Sequence, residues 1–195
     1  MIDDTAPATG SEPTSTAQDA PPPFADPRRI GALVGLVGAC VFVFSYTAGF
    51  TDALSAAARI VVVVASVATL WFLFGSPRDL GRFVPARRWQ IGVYLLAVVI
   101  EFVLIAVGSR WLGSIGAADL RPALIALAVG LHFIPFAWAF AERMFFVLGA
   151  TLVALGAVGL LVGTATGALV AAVTSGVVMA LDVLAYSLGM FTRGR

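Results

Sequence analysis

From Ile30 onward the chain alternates long apolar runs with short breaks that carry charge, proline or glycine. The first run is Ile30 to Phe50. The second is Ile60 to Phe74, drawn back to about residue 58 if Arg59 snorkels its guanidinium to an interface. The third runs from Ile91 to Ser109 and the fourth from Ala123 to Ala141. After Glu142 and Arg143, residues 144–191 hold a single charge, Asp182. At ~1.5 Å per residue that stretch would extend ~72 Å, over twice a hydrocarbon core of ~30 Å, so it must fold back. The natural break is Gly163-Thr164-Ala165-Thr166-Gly167. The pattern therefore predicts six transmembrane helices, at about 30–50, 58–75, 91–109, 123–141, 144–163 and 168–191, in one domain over 30–192. The runs are apolar on every face rather than at alternate positions, which speaks against barrel strands. The fold class is all-α: a polytopic membrane bundle of six helices.

Residues 1–29 have the opposite character. They are rich in Ala, Pro, Thr, Ser and Asp, include Pro21-Pro22-Pro23, and hold hardly any large apolar residue. Such a segment buries too little surface to offset its ordering entropy, which predicts a disordered tail. Its start is acidic (Asp3, Asp4, Glu12), unlike the basic opening of a signal peptide.

Composition strengthens the membrane reading. With 60% hydrophobic and 12% charged residues, the chain lacks the polar surface that a soluble domain of its length needs. A net charge of +1 lacks the concentrated basic face of a nucleic-acid binder. All 12 basic residues are arginine, and lysine and asparagine are both missing. Those two residues use A-rich codons, which points to a GC-rich bacterial genome and so to the plasma (inner) membrane. With the N-terminus inside, Arg28, Arg29, Arg78, Arg82, Arg87, Arg88, Arg143, Arg193 and Arg195 lie on the cytoplasmic side. Arg59, Arg110 and Arg121 lie opposite. Nine against three predicts that both termini are cytoplasmic. Trp71, Trp89, Trp111 and Trp138 all fall near predicted helix ends, as an aromatic belt requires.

Small residues recur at packing distance: Gly31 with Gly35, Gly159 with Gly163, and Gly149, Gly156 and Gly163 at every seventh position. In lipid, helices associate by close backbone approach, so these stripes serve packing within the chain or a homo-oligomer face. The lone Cys40 cannot form an internal disulfide and reads as a small buried hydrophobe.

Three ionisable side chains interrupt the apolar runs: Glu101, His132 and Asp182. An acid at the bilayer centre costs ~2.5–3.5 kcal/mol on insertion scales unless it is paired, protonated or wetted. Glu101 stands ten residues past Ile91, and His132 nine past Ala123. Both depths come to about 14–15 Å, near the midplane of a ~30 Å core. The two helices are consecutive and antiparallel, so a Glu101–His132 contact is within reach. Burial and pairing act in opposite senses on both groups, so a proton can be poised between them. The alternative is a structural interhelical bond worth ~0.6–2 kcal/mol. Pro135, three residues after His132, lacks an N–H and crowds the carbonyl of Leu131, which predicts a kink beside the imidazole. Broken helices at this depth line ion sites in some folds and are plain packing features in others. Asp182 shares a helix face with Tyr186, which could satisfy part of its carboxylate.

No metal or other cofactor is expected. There is one histidine, and the sulfur donors Cys40, Met144, Met179 and Met190 are scattered. No phosphate loop, His-Glu-x-x-His or Gly-x-Ser-x-Gly marks catalysis, so the reading leans away from an enzyme. The arginines between Arg78 and Arg88 already have a topological role, with anionic lipid as a lesser reading. Glu101 and Asp182, each in the third helix of a half and each followed seven residues later by glycine, form a faint inverted-repeat echo.

The stretch Gly130-Leu131-His132-Phe133-Ile134-Pro135-Phe136 resembles a Gly-x-His-Phe-x-Pro signature of small bacterial multi-pass membrane proteins. That resemblance implies six helices and no particular activity. Two functions stay open: a carrier that handles a proton or small cation at Glu101, His132 and Asp182, or a structural or sensory subunit in which these residues only fix packing.

Overall fold

The computed structural model describes residues 26–76 and 87–191. Six helices dominate it: α1 Pro27–Tyr46, α2 Asp52–Leu70, α3 Arg88–Ser114, α4 Arg121–Phe140, α5 Arg143–Val162 and α6 Ala165–Ser187. Each, with its flanking turns, is long and apolar enough to cross a bilayer. No strand occurs among the described residues. The tail over residues 1–25, Arg78 and Arg82 of the arginine-rich loop, and Arg193 and Arg195 lie outside the described residues.

Helix boundaries follow local chemistry more closely than the apolar runs do. Helix α1 starts at Pro27, inside the segment expected to belong to the tail. Asp26 accepts the Arg28 N–H at 3.0 Å, and proline occupies the first turn. Thr51 caps α2 and Thr164 caps α6 in the same way. Helix α2 therefore begins six residues before the expected start and carries Arg59 inside it. The Arg59 guanidinium reaches the turn before α2, where its Nε donates to Thr47 Oγ1 at 3.0 Å. Only Gly163, left-handed at φ 69°, and Thr164 separate α5 from α6, a tighter reversal than the five-residue break expected. Helix α4 continues through Pro135 to Phe140.

Helix α6 is the centre of the bundle, packed on α1, α2, α4 and α5. Twelve of its residues are buried, against two of α3, Ala97 and Leu112. Helices α4 and α5 form the most intimate pair. A Cβ on Gly130 would lie 2.5 Å from the Val153 nitrogen, and one on Gly156 2.5 Å from the Leu127 nitrogen. Only glycine permits that approach. Gly35 and Gly38 likewise receive Val183 and Met179 of α6. The glycine faces are thus largely used within the chain, whereas Gly31 meets nothing within 4 Å among the described residues. Cys40 is half-buried against the core, with its Sγ 3.9 Å from Ser66 Oγ.

Helix α3 stands at the edge and packs chiefly on α4.

Candidate functional site

Glu101 lies 13 residues into α3 and His132 11 residues into α4. At ~1.5 Å per residue each is about midway along its helix. The two meet there: His132 Nδ1 is 3.0 Å from Glu101 Oε2. Their side chains keep only 12% (His132) and 15% (Glu101) of their surface open. The carboxylate stands off the N–H direction of the ring, so the contact is an ion-pair approach rather than a hydrogen bond. The other ring nitrogen, Nε2, has no hydrogen-bond partner among the described residues.

Aromatic rings surround the imidazole on one side. Phe133 is 4.2 Å away between centroids and Phe136 5.0 Å, edge-on. Tyr94 of α3 stacks on Phe136 at 5.2 Å, and Phe145 of α5 stacks on Phe133 at 6.0 Å. A separate ring pair, Trp89 and Trp138, meets edge-on at 5.5 Å between the same two helices. This apolar block shields one flank of the pair and raises the worth of any charge contact inside it.

The pair is the middle one of three polar ties between α3 and α4. Near one end Gln90 Nε2 donates to the Ala139 carbonyl at 2.6 Å, and toward the other Arg121 Nε donates to the Ser109 carbonyl at 3.3 Å. Sequence reasoning found the charged tie and missed the two that end on carbonyls, because a backbone acceptor leaves no mark in residue type.

Asp182 is not part of this site. It lies five residues from the end of α6, about 8 Å of rise, and Glu101 lies ~20 Å from the same face of the bundle. Among the described residues no hydrogen bond or ion pair joins it to Glu101, His132 or Tyr186. It is buried, and its Oδ2 lacks a partner among them. Glu101 and Asp182 therefore occupy unlike surroundings, contrary to the repeat echo.

A second polar cluster escaped the sequence reading. Asp26, 2% exposed, accepts Arg28 Nη2 at 2.8 Å and lies 3.8 Å from Arg29 Nε. Arg29 Nη1 donates to the Leu73 carbonyl, in the π turn Trp71–Gly75 that ends α2. Tyr186 is within electrostatic reach of Arg28, Arg29, Asp26 and Glu142, so the ends of α1, α2, α5 and α6 gather here. The signal was present: Asp followed by Pro is a helix-start signature.

No group of three metal-binding side chains occurs among the described residues. Glu101 and His132 can offer a cation two donors, or hold one proton between them. The chain matches no protein-family model, no curated protein and no solved structure.

Proposed function

We propose that the protein is a six-span plasma-membrane protein, both termini cytoplasmic, that takes up a proton or small cation at Glu101 and His132 within the bilayer. The observation behind this reading is the 3.0 Å approach of the two groups halfway along adjacent helices. With the carboxylate beside Nδ1, Nε2 is the position at which a proton arrives and leaves. Ionisable residues at this depth are rare and costly to insert, which makes them default candidates for a functional site. Asp182, at a different depth on α6, stands outside this pair. The orientation rests on Arg28, Arg29, Arg87, Arg88 and Arg143 at one end of the bundle against Arg59, Arg110 and Arg121 at the other.

The test is proton flux into liposomes holding the purified protein, comparing wild type with Glu101→Gln and His132→Ala. Flux that vanishes in both variants while both still fold supports the reading. Flux that survives in both removes the pair from the pathway.

A second reading is favoured by the row of three α3–α4 ties: a structural or sensory subunit in which the pair fastens α3 to the bundle. It predicts that both variants lose stability and that wild type carries no flux.

A further inference from the structure

Helices α3 and α4 leave an open groove of about 350 Å³, lined by Val103, Leu104, Val107, Gly108, Trp111 and Leu124. Every lining residue is apolar or glycine. Val103, Val107 and Trp111 are spaced four apart, form one wall and are each more than half exposed. From Val103 to Trp111 the wall rises ~12 Å, close to the ~15 Å depth of one leaflet.

The mouth of the groove has a different character. Arg121 stands one turn before Leu124 on α4, and Arg110 directly precedes Trp111. Both arginines are exposed. Arg121 uses its Nε on the Ser109 carbonyl, and its terminal nitrogens make no hydrogen bond among the described residues. Neither guanidinium has a carboxylate within ion-pair distance among those residues. Two cations without an ion-pair partner among the described residues thus stand at the interfacial end of an apolar slot of leaflet depth.

We propose that this groove binds an anionic phospholipid, with one acyl chain against Val103, Val107, Trp111 and Leu124 and its phosphate on Arg110 and Arg121. Guanidinium groups pair with phosphate through parallel charge-assisted bonds. A net negative headgroup is preferred because a zwitterionic lipid brings its own ammonium to two arginines that have no carboxylate within ion-pair distance among the described residues. The inner end of the slot, Val103 and Leu104, lies within one turn of Glu101. The chain end therefore lies close to the depth of the Glu101–His132 pair. The proposal does not rest on the proton-handling reading.

Trp111 lies in the groove and reports on it directly. A variant that keeps Trp111, with Trp71, Trp89 and Trp138 each changed to Phe, is reconstituted into phosphatidylcholine vesicles. Half the lipid is then replaced by acyl-brominated phosphatidylglycerol or by acyl-brominated phosphatidylcholine, whose bromine quenches a touching indole. Quenching by the phosphatidylglycerol should exceed that by the phosphatidylcholine about threefold, and Arg110→Gln with Arg121→Gln should bring the two level. Should the double variant not fold, Arg110→Gln alone replaces it and should halve the preference. Equal quenching by both lipids in the parent overturns the proposal, as does a preference that outlives the loss of the arginines. Absence of quenching by either lipid means that a second copy or another protein covers the groove, and overturns it too.

Discussion

Arg29, at the start of α1, donates a hydrogen bond to the carbonyl of Leu73, at the end of α2 and 44 residues away. Leu73 sits in a π turn, whose wider spacing frees backbone acceptors that an α-helix would use internally. The guanidinium is held from the other side by Asp26. A helix cap and an interhelical tie thus share one buried carboxylate.

Removing either partner of that arrangement should be costly. Asp26→Ala and Arg29→Ala should each destabilise the protein by about 1.5–3 kcal/mol, the range for hydrogen bonds to charged groups. Unfolding in mixed detergent micelles measures this. Arg29→Lys should recover only part of the loss, since an ammonium cannot serve the carbonyl and Asp26 through a planar fork. Full recovery by lysine would mean that charge alone matters here.

The contact between Glu101 and His132 should appear as coupling energy. In a cycle of Glu101→Gln, His132→Phe and the double variant, a coupling of about 0.6–1.7 kcal/mol is expected, the range for polar contacts in lipid. Additive effects would show that the 3.0 Å approach carries no energy, and would weaken both functional readings together.

The number and order of the helices were legible because hydrocarbon depth sets a length that apolar runs must match. The depths of Glu101 and His132 were legible for the same reason, being counted from helix ends. Their meeting was not, because rotation about a helix axis depends on which faces pack, and these helices are apolar all round. Gly130 and Gly156 fix that rotation for α4 and α5, yet a glycine spacing alone does not say which helix it receives. Helix starts at Pro27 and Asp52 were misjudged for a different reason. Asp26 and Thr51 cap polar turns that lie beyond the apolar run, and hydropathy does not register a cap.

At Gly130 and Gly156 any added carbon falls within 2.5 Å of backbone nitrogen on the facing helix. Backbone cannot move aside as a side chain can. Gly156→Ala should therefore cost about 1–3 kcal/mol through overpacking, and Gly156→Leu should prevent folding. Gly31→Ala, with nothing within 4 Å among the described residues, should leave thermal stability unchanged and serves as the control. Loss of an oligomer in Gly31→Leu, seen by gel filtration in detergent, would assign the glycine-rich oligomer face to the one glycine of α1 that no described residue covers.

Asp182 is the sharpest test of whether a buried charge here is for packing or for function. Its carboxylate is buried on α6, the most enclosed helix, and Oδ2 lacks a hydrogen-bond partner among the described residues. A polar group held that way is a net cost, because its desolvation is not returned by bonding. Replacing it by an apolar side chain of the same branching should therefore stabilise the fold, as seen when buried charges elsewhere give way to hydrophobes. Asp182→Leu should raise the midpoint of thermal unfolding, and Asp182→Asn should change it little. If Asp182→Leu abolishes proton flux while unfolding later than wild type, the acid is retained for function against its own cost, in a place separate from Glu101 and His132. If Asp182→Leu instead unfolds earlier, the carboxyl is holding helices together through a partner, and the packing reading extends to the centre of the bundle.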